Sequence, residues 1–141
     1  MKKQKTSAKT VALMAMMIAL ALIFSYVETL IPINFGIPGV KLGLANLVIV
    51  AVIYLFGGKE ALFVSVVRIF LSGFMFGNLA SIMYSLAGGL LSLAVMLLLK
   101  KTDKLSILAV SVMGGICHNI GQLAAAAVLL GTRQVLWYAV V

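Results

Sequence analysis

The chain has 141 residues, of which 64% are hydrophobic and 10% are charged, and its formal net charge is +8. Apolar residues make up only about half of an ordinary soluble domain, so this composition excludes one and predicts a single membrane domain over residues 1–141. Eight of the eleven basic residues stand in short clusters beside apolar runs. Such clusters are typical of membrane topology signals, and we expect no nucleic-acid partner.

Apolar runs separated by Gly, Pro and Lys predict helices that cross the lipid bilayer, because a spanning helix needs about 20 apolar residues. The first run follows lysines, as in a signal peptide, but it continues to Ile31 without a polar cleavage region. We therefore expect a retained first helix. The last run is too short to cross, so we expect a truncated sixth helix. In chain order the predicted spans are 11–31, 42–56, 60–76, 79–99, 105–130 and the incomplete 135–141.

The lysine distribution predicts that the N-terminus is cytoplasmic. The N-terminal segment, the turn at Lys59 and the loop 100–104 together hold eight lysines and would lie inside. Only Lys41 and Arg133 would lie on the outer side, with the connections 32–41 and 131–134 and the turn near residue 78. We expect a multi-pass protein of a prokaryotic plasma membrane.

The acidic residues argue against catalysis by this chain alone. Only Glu28, Glu60 and Asp103 are acidic, so there is neither a paired-carboxylate site nor an aspartate-rich magnesium motif. Cys117 and His118 are neighbours that would point about 100° apart on a helix. No glycine-rich segment has a phosphate-loop pattern. We expect no enzyme activity, no cofactor and no metal.

Polar residues inside or beside the predicted spans are the candidates for function, because lipid makes such residues costly. With the N-terminus inside, they gather at mid-membrane or toward the outer leaflet, which predicts a cavity open to the outside. Asn46 and Asn119 could equally cap broken helix ends, and Lys41 could anchor the chain at the membrane surface. The candidate substrate-binding residues are Lys41, Asn46, Arg68, Asn78, Tyr84, His118, Asn119 and Gln122.

Three of these candidates also have a structural interpretation. Arg68 could pair with Glu28, or with carbonyls freed where the third span breaks at residues 72–73. His118 and Gln122 are four residues apart and share one helix face, so they could form a hydrogen-bonding pair between helices. The sequence leaves both alternatives open.

Four motifs carry a resemblance to a known family. They are Pro38-Gly-Val-Lys-Leu-Gly-Leu-Ala-Asn46, Arg68-Ile-Phe-Leu-Ser-Gly73, Ser85-Leu-Ala-Gly-Gly-Leu-Leu-Ser92 and His118-Asn-Ile-Gly-Gln-Leu123. In combination they resemble the Gx transporter family, often labelled heptaprenyl diphosphate synthase component I. The resemblance runs from the first helix to about Leu130.

That family resembles the substrate-binding S components of energy-coupling factor (ECF) transporters. The resemblance implies a six-helix bundle with both ends cytoplasmic and an outward pocket capped by the first external loop. It also implies that an Ala-xxx-Ala face on the first helix docks on a transmembrane coupling subunit driven by ATPases. The matching residues here are Ala8, Ala12, Ala15 and Ala19. The incomplete sixth helix departs from the family pattern.

The favoured function at this point is a membrane subunit that binds a small molecule for uptake with such an ATP-driven module. The ligand would be anionic, because Lys41, Arg68 and Arg133 outweigh Glu28 on the outer side. The alternative takes the family label literally, as a membrane accessory subunit of a heptaprenyl diphosphate synthase. A membrane scaffold or electron-transfer accessory is a third possibility.

Overall fold

The computed structural model describes residues 7–31 and 44–131, which are helical apart from short connections. No residue in these two ranges forms a strand. The predicted all-helical class is therefore confirmed, whereas the sixth predicted run, 135–141, lies outside the described residues. The helices are α1 (Ala8–Leu30), α2 (Asn46–Leu55), α3 (Gly58–Phe76), α4 (Leu79–Thr102) and α5 (Ile107–Leu130).

Three helices, α1, α4 and α5, are long and apolar enough to cross a membrane. The second helix differs from the prediction. Its apolar run predicts a span over 42–56, but residues 44–45 form a turn and α2 has only 10 residues. At 1.5 Å per residue, α2 is about 15 Å long, which is about half the thickness of a bilayer core.

Local hydrogen bonds explain why three of the helices begin where they do. The side chains of Ser7, Asn78 and Ser106 each accept a hydrogen bond from the backbone N–H three residues further on. These are N-caps, which satisfy backbone donors that have no partner inside the helix. The N-caps therefore place the starts of α1, α4 and α5.

Contacts at the helix ends show that successive helices alternate in direction. The rings of Tyr26 and Phe76, at the ends of α1 and α3, lie 5.1 Å apart. At the opposite end, Leu97 of α4 lies against Gly58 at the start of α3. That second end carries the cationic side chains, and we call it the basic end. Its lysines are Lys9, Lys59, Lys100, Lys101 and Lys104.

The short helix α2 lies at the centre of the bundle. It contacts each of the other four helices, whereas α1 and α5 do not contact each other. Its side chains form a large part of the hydrophobic core, in which Val52 and Ile53 are fully buried. A lysine of the basic end stabilises the C-terminal end of α2. Lys100 Nζ donates a hydrogen bond of 2.8 Å to the Ile53 carbonyl and lies 5.1 Å from the centre of the Tyr54 ring.

The most extensive helix pair is α4 with α5, and it depends on glycine. A Cβ atom on Gly121 would lie 2.7 Å from the Cα atom of Gly88, so the two backbones touch there. One turn further along α4, the Ser92 hydroxyl donates a hydrogen bond of 2.7 Å to the Gly114 carbonyl of α5. Small residues that let backbones approach in this way are typical of helix packing in membranes.

Substituting Gly121 tests this packing, and Gly115 on the same helix provides a matched control. Gly121→Ala places a methyl group against backbone that cannot move aside, so we expect a loss of about 1–3 kcal/mol in the free energy of unfolding. Nothing lies within 4 Å of a Cβ on Gly115, so Gly115→Ala should gain up to about 1 kcal/mol of helix propensity. Unfolding in detergent measures both, and equal effects would contradict the close approach of α4 and α5.

Candidate functional site

Four polar side chains are buried on three helices near the junction of α1 and α2, away from the basic end. We call this group, Ser25 and Glu28 of α1, Asn46 of α2 and Arg68 of α3, the polar centre. The Glu28 carboxylate oxygen Oε1 accepts a hydrogen bond of 3.0 Å from the backbone N–H of Leu44. Because Leu44 precedes Asn46 by two residues, this bond ties the end of α1 to the start of α2.

Arg68 enters the polar centre from the middle of α3. It is only 4% exposed, and it belongs to the buried face of α3 together with Ser65 and Ser72. Its guanidinium interacts electrostatically with Glu28, as the structural interpretation of the sequence expected. A buried charge is costly unless an opposite charge or a hydrogen-bond partner compensates it. Glu28 supplies part of that compensation.

The break predicted in the third span is wrong. The helix α3 continues to Phe76, and the Ser72 hydroxyl donates to the Ile69 carbonyl within it. A Cβ on Gly73 would collide with Ile82 of α4, so Gly73 allows close contact between two helices and does not interrupt one. The backbone near Arg68 is therefore helical and offers the guanidinium no freed carbonyls.

Several hydrogen-bonding atoms of the polar centre have no hydrogen-bond partner among the described residues. They are Nε and Nη2 of Arg68, Nδ2 of Asn46 and the hydroxyl oxygen of Ser25. Leaving such a buried polar atom unmatched costs about 1–3 kcal/mol. The Arg68 and Asn46 atoms are donors, and the Ser25 hydroxyl can also donate. The arrangement can therefore bind oxygen atoms of a partner group.

A second set of candidate residues lies between α4 and α5. His118 and Gln122 are buried on one face of α5, where the His118 carbonyl and the Gln122 side chain lie against Gly88. Tyr84 of α4 packs with Leu123 and neighbouring alanines. The described parts of α3 and α5 do not contact each other. The structure thus places Arg68 beside Glu28, and His118 with Gln122 on one buried face of α5.

The remaining candidates occupy other positions. Asn78 is exposed and caps α4, with its side-chain oxygen 2.8 Å from the Ser81 N–H. The capping role considered for Asn46 and Asn119 is wrong, because α2 has no side-chain cap and Asn119 lies in the middle of α5. Lys41 lies outside the described residues. The four alanines of the predicted docking face are all exposed on α1: Ala8, Ala12, Ala15 and Ala19.

Sequence reasoning missed two polar residues that matter to this arrangement. Ser25 was overlooked because a single serine in an apolar run is unremarkable, although it lies three residues before Glu28 and so shares its helix face. Lys100 was interpreted only as a topology signal, whereas its Nζ atom also bonds the Ile53 carbonyl. The three-residue spacing from Glu28 could have identified Ser25 as a member of the same buried face. No feature of the sequence indicates that Lys100 contacts α2.

The described residues contain no group of three or more His, Cys, Asp or Glu side chains that could hold a metal ion. Glu28, the acidic member of the polar centre, is already engaged with Leu44 and Arg68. The site thus consists mainly of hydrogen-bond donors around one cation. It is suited to binding, and it lacks the paired acid and base that general acid–base catalysis uses.

Together these features define a helical protein with three potential membrane spans among its described residues. The chain belongs to the family described as heptaprenyl diphosphate synthase component I, whose family model matches residues 17–141. This family is an accessory component of a synthase and is not itself catalytic. Neither the curated proteins nor the solved structures include a significant match to the chain.

A double-mutant cycle tests whether Glu28 compensates Arg68. Glu28→Gln keeps an oxygen for the Leu44 N–H but removes the negative charge, and Arg68→Gln removes the positive one. We expect each single variant to lower the free energy of unfolding and the double variant to lose less than the sum, with a coupling of about 0.5–3 kcal/mol. Glu60→Gln, paired with Arg68→Gln in the same way, is the control and should show additive losses. Additivity in the Glu28 cycle would contradict the interaction.

Proposed function

We propose that this chain is the membrane-embedded accessory component of heptaprenyl diphosphate synthesis and that it holds a soluble catalytic partner at the bilayer surface. The observation that carries the proposal is the family match over residues 17–141. A helix bundle without a catalytic set fits an accessory role, since the partner would supply the chemistry. A prenyl product is apolar along its chain, so synthesis beside the membrane would deliver it directly into lipid.

The basic end is the surface best suited to such a partner. Lys59, Lys101 and Lys104 are exposed there, and the lysine bias of the sequence predicts that this end is cytoplasmic. A soluble partner with an acidic surface would be attracted to these charges, which raise association rates more than they raise affinity. The partner would approach the start of α3, the end of α4 and the start of α5.

Reconstitution with the soluble synthase component tests this function. The chain is placed in nanodiscs, the catalytic component is added, and formation of heptaprenyl diphosphate is measured. We expect a higher rate or a longer product with the chain than with empty nanodiscs. Lys101→Glu with Lys104→Glu should weaken the effect because it reverses the local charge, whereas the matched pair Lys101→Arg and Lys104→Arg should retain it. An unchanged rate and product length in the presence of the chain would contradict the proposal.

The polar centre supports a second function, capture of a small solute for uptake. Buried polar side chains within apolar helices are candidates for a substrate path. In this function the ligand would contact Asn46, Arg68, His118, Asn119 and Gln122 within the bundle, and Lys41, Asn78 and Tyr84 toward the outer surface. The exposed alanines of α1 would dock on a coupling subunit with ATPases.

Ligand uptake in cells separates the two functions. If the chain is an uptake subunit, cells that produce it with an ECF-type coupling module should accumulate solute in an ATP-dependent manner. Ala15→Trp should abolish accumulation, because a large side chain prevents close helix approach on the exposed face of α1. Ala124→Trp, on an exposed position of α5, is the control and should leave accumulation intact. Absence of solute accumulation together with stimulated prenyl synthesis would decide against uptake.

A further inference from the structure

We propose that the polar centre is a binding site for an anionic oxygen-bearing group, a carboxylate or a phosphate, held by the N–H groups of Arg68 and Asn46. The proposal rests on the membrane placement described above but on neither partner. The family description assigns no ligand to the bundle interior. The inference comes from the donors of the polar centre and from which of them have no partner.

The two Arg68 nitrogens that have no hydrogen-bond partner indicate which chemical group could bind there. Nε and Nη2 carry the two N–H bonds that run parallel along one side of the guanidinium plane. Among the described residues neither has a hydrogen-bond partner, although the whole side chain is only 4% exposed. This edge is the one that binds two oxygens of a carboxylate or phosphate at once. An apolar or cationic ligand would leave both N–H groups unmatched.

Two further buried side chains of the polar centre are also donors. Asn46, which is 3% exposed, has its Nδ2 donor without a hydrogen-bond partner in the described structure. The hydroxyl of fully buried Ser25 is likewise unmatched there and can donate. Glu28 is the acidic group present, and its Oε1 already accepts from Leu44. The unmatched atoms of the polar centre can therefore all act as donors, and an anion would supply acceptors for them.

The position of the polar centre also gives a direction of entry. Glu28 lies two residues before the end of α1, and Asn46 is the first residue of α2. Both lie toward the end of the bundle opposite the basic end. On the predicted orientation this end faces outward, so the anion would reach Arg68 from the outer side. The exposed lysines of the basic end would not compete for it, because they lie at the other surface.

Anion binding to the isolated chain in a neutral detergent tests the proposal. The probes are inorganic phosphate and acetate, each titrated against chloride at equal ionic strength, and the measured quantity is the unfolding midpoint. A ligand that binds the folded state raises this midpoint as its concentration exceeds Kd. We expect phosphate or acetate to raise it in the wild type, and Arg68→Gln to weaken Kd at least about tenfold, because charged hydrogen bonds are lost.

Matched variants separate the site from general charge. Lys104→Gln removes one exposed positive charge and should bind the probes as the wild type does. Asn46→Leu removes the amide donor without changing charge and should weaken Kd several-fold. If Arg68→Gln does not fold, Arg68→Lys provides a second test. Lysine retains the positive charge but lacks the two parallel N–H groups of the guanidinium, so this variant should also bind the probes more weakly. No midpoint shift in the wild type, or equal Kd values in the wild type and the foldable Arg68 variant, would overturn the proposal.

The anionic group could belong to a lipid headgroup or to a soluble anion, and changing the lipid composition distinguishes the two. The phosphate titration is repeated in nanodiscs of phosphatidylglycerol and in neutral detergent. Loss of the shift in phosphatidylglycerol would identify a lipid headgroup as the occupant, and a retained shift would identify a soluble anion; both outcomes support the site. These assays contain neither a synthase nor a transporter partner. Failure of the site would therefore be distinguishable from failure of the proposed accessory function.

Discussion

The rest of this structure depends on keeping the guanidinium of Arg68 inside a bundle of apolar helices. A charge in that position needs an opposite charge and hydrogen-bond acceptors close to it. Glu28 supplies the charge, and its hydrogen bond to Leu44 joins α1 to the start of α2. The short α2 fits this requirement, because it begins beside the polar centre and need not cross the whole bilayer.

Tight packing elsewhere provides the rigid frame that this centre requires. The backbones of α4 and α5 touch at Gly88 and Gly121, and Ser92 bonds across the same interface. At the other end, Lys100 satisfies a carbonyl at the end of α2. The hydrogen bonds of Glu28 and Lys100 thus fix α2 at both ends, and Asn46 is positioned by the helix that carries it.

Much of the fold could be predicted from the sequence, because long apolar runs with lysines between them specify helices and their boundaries. The helices α3, α4 and α5 begin and end within a few residues of the predicted runs. The length of α2 could not be predicted, since Leu44 and Ala45 continue its apolar run but form a turn. Polar residues in apolar runs drew attention to Asn46 and Arg68, which the structure shows to be buried. The packing of His118 between α4 and α5 depends on the contacts among helices, which sequence spacing does not determine.

The most direct test of the account is whether a phosphate lies against the free edge of Arg68. Solid-state NMR of the chain in phosphatidylcholine bilayers with ¹⁵N-labelled arginine can measure ¹⁵N–³¹P dipolar coupling to added inorganic phosphate. The two arginines, Arg68 and Arg133, are distinguished by the variant Arg133→Lys. The account predicts coupling at Nε and Nη2 of Arg68 that increases with phosphate. Coupling that is absent there at every phosphate concentration would contradict it.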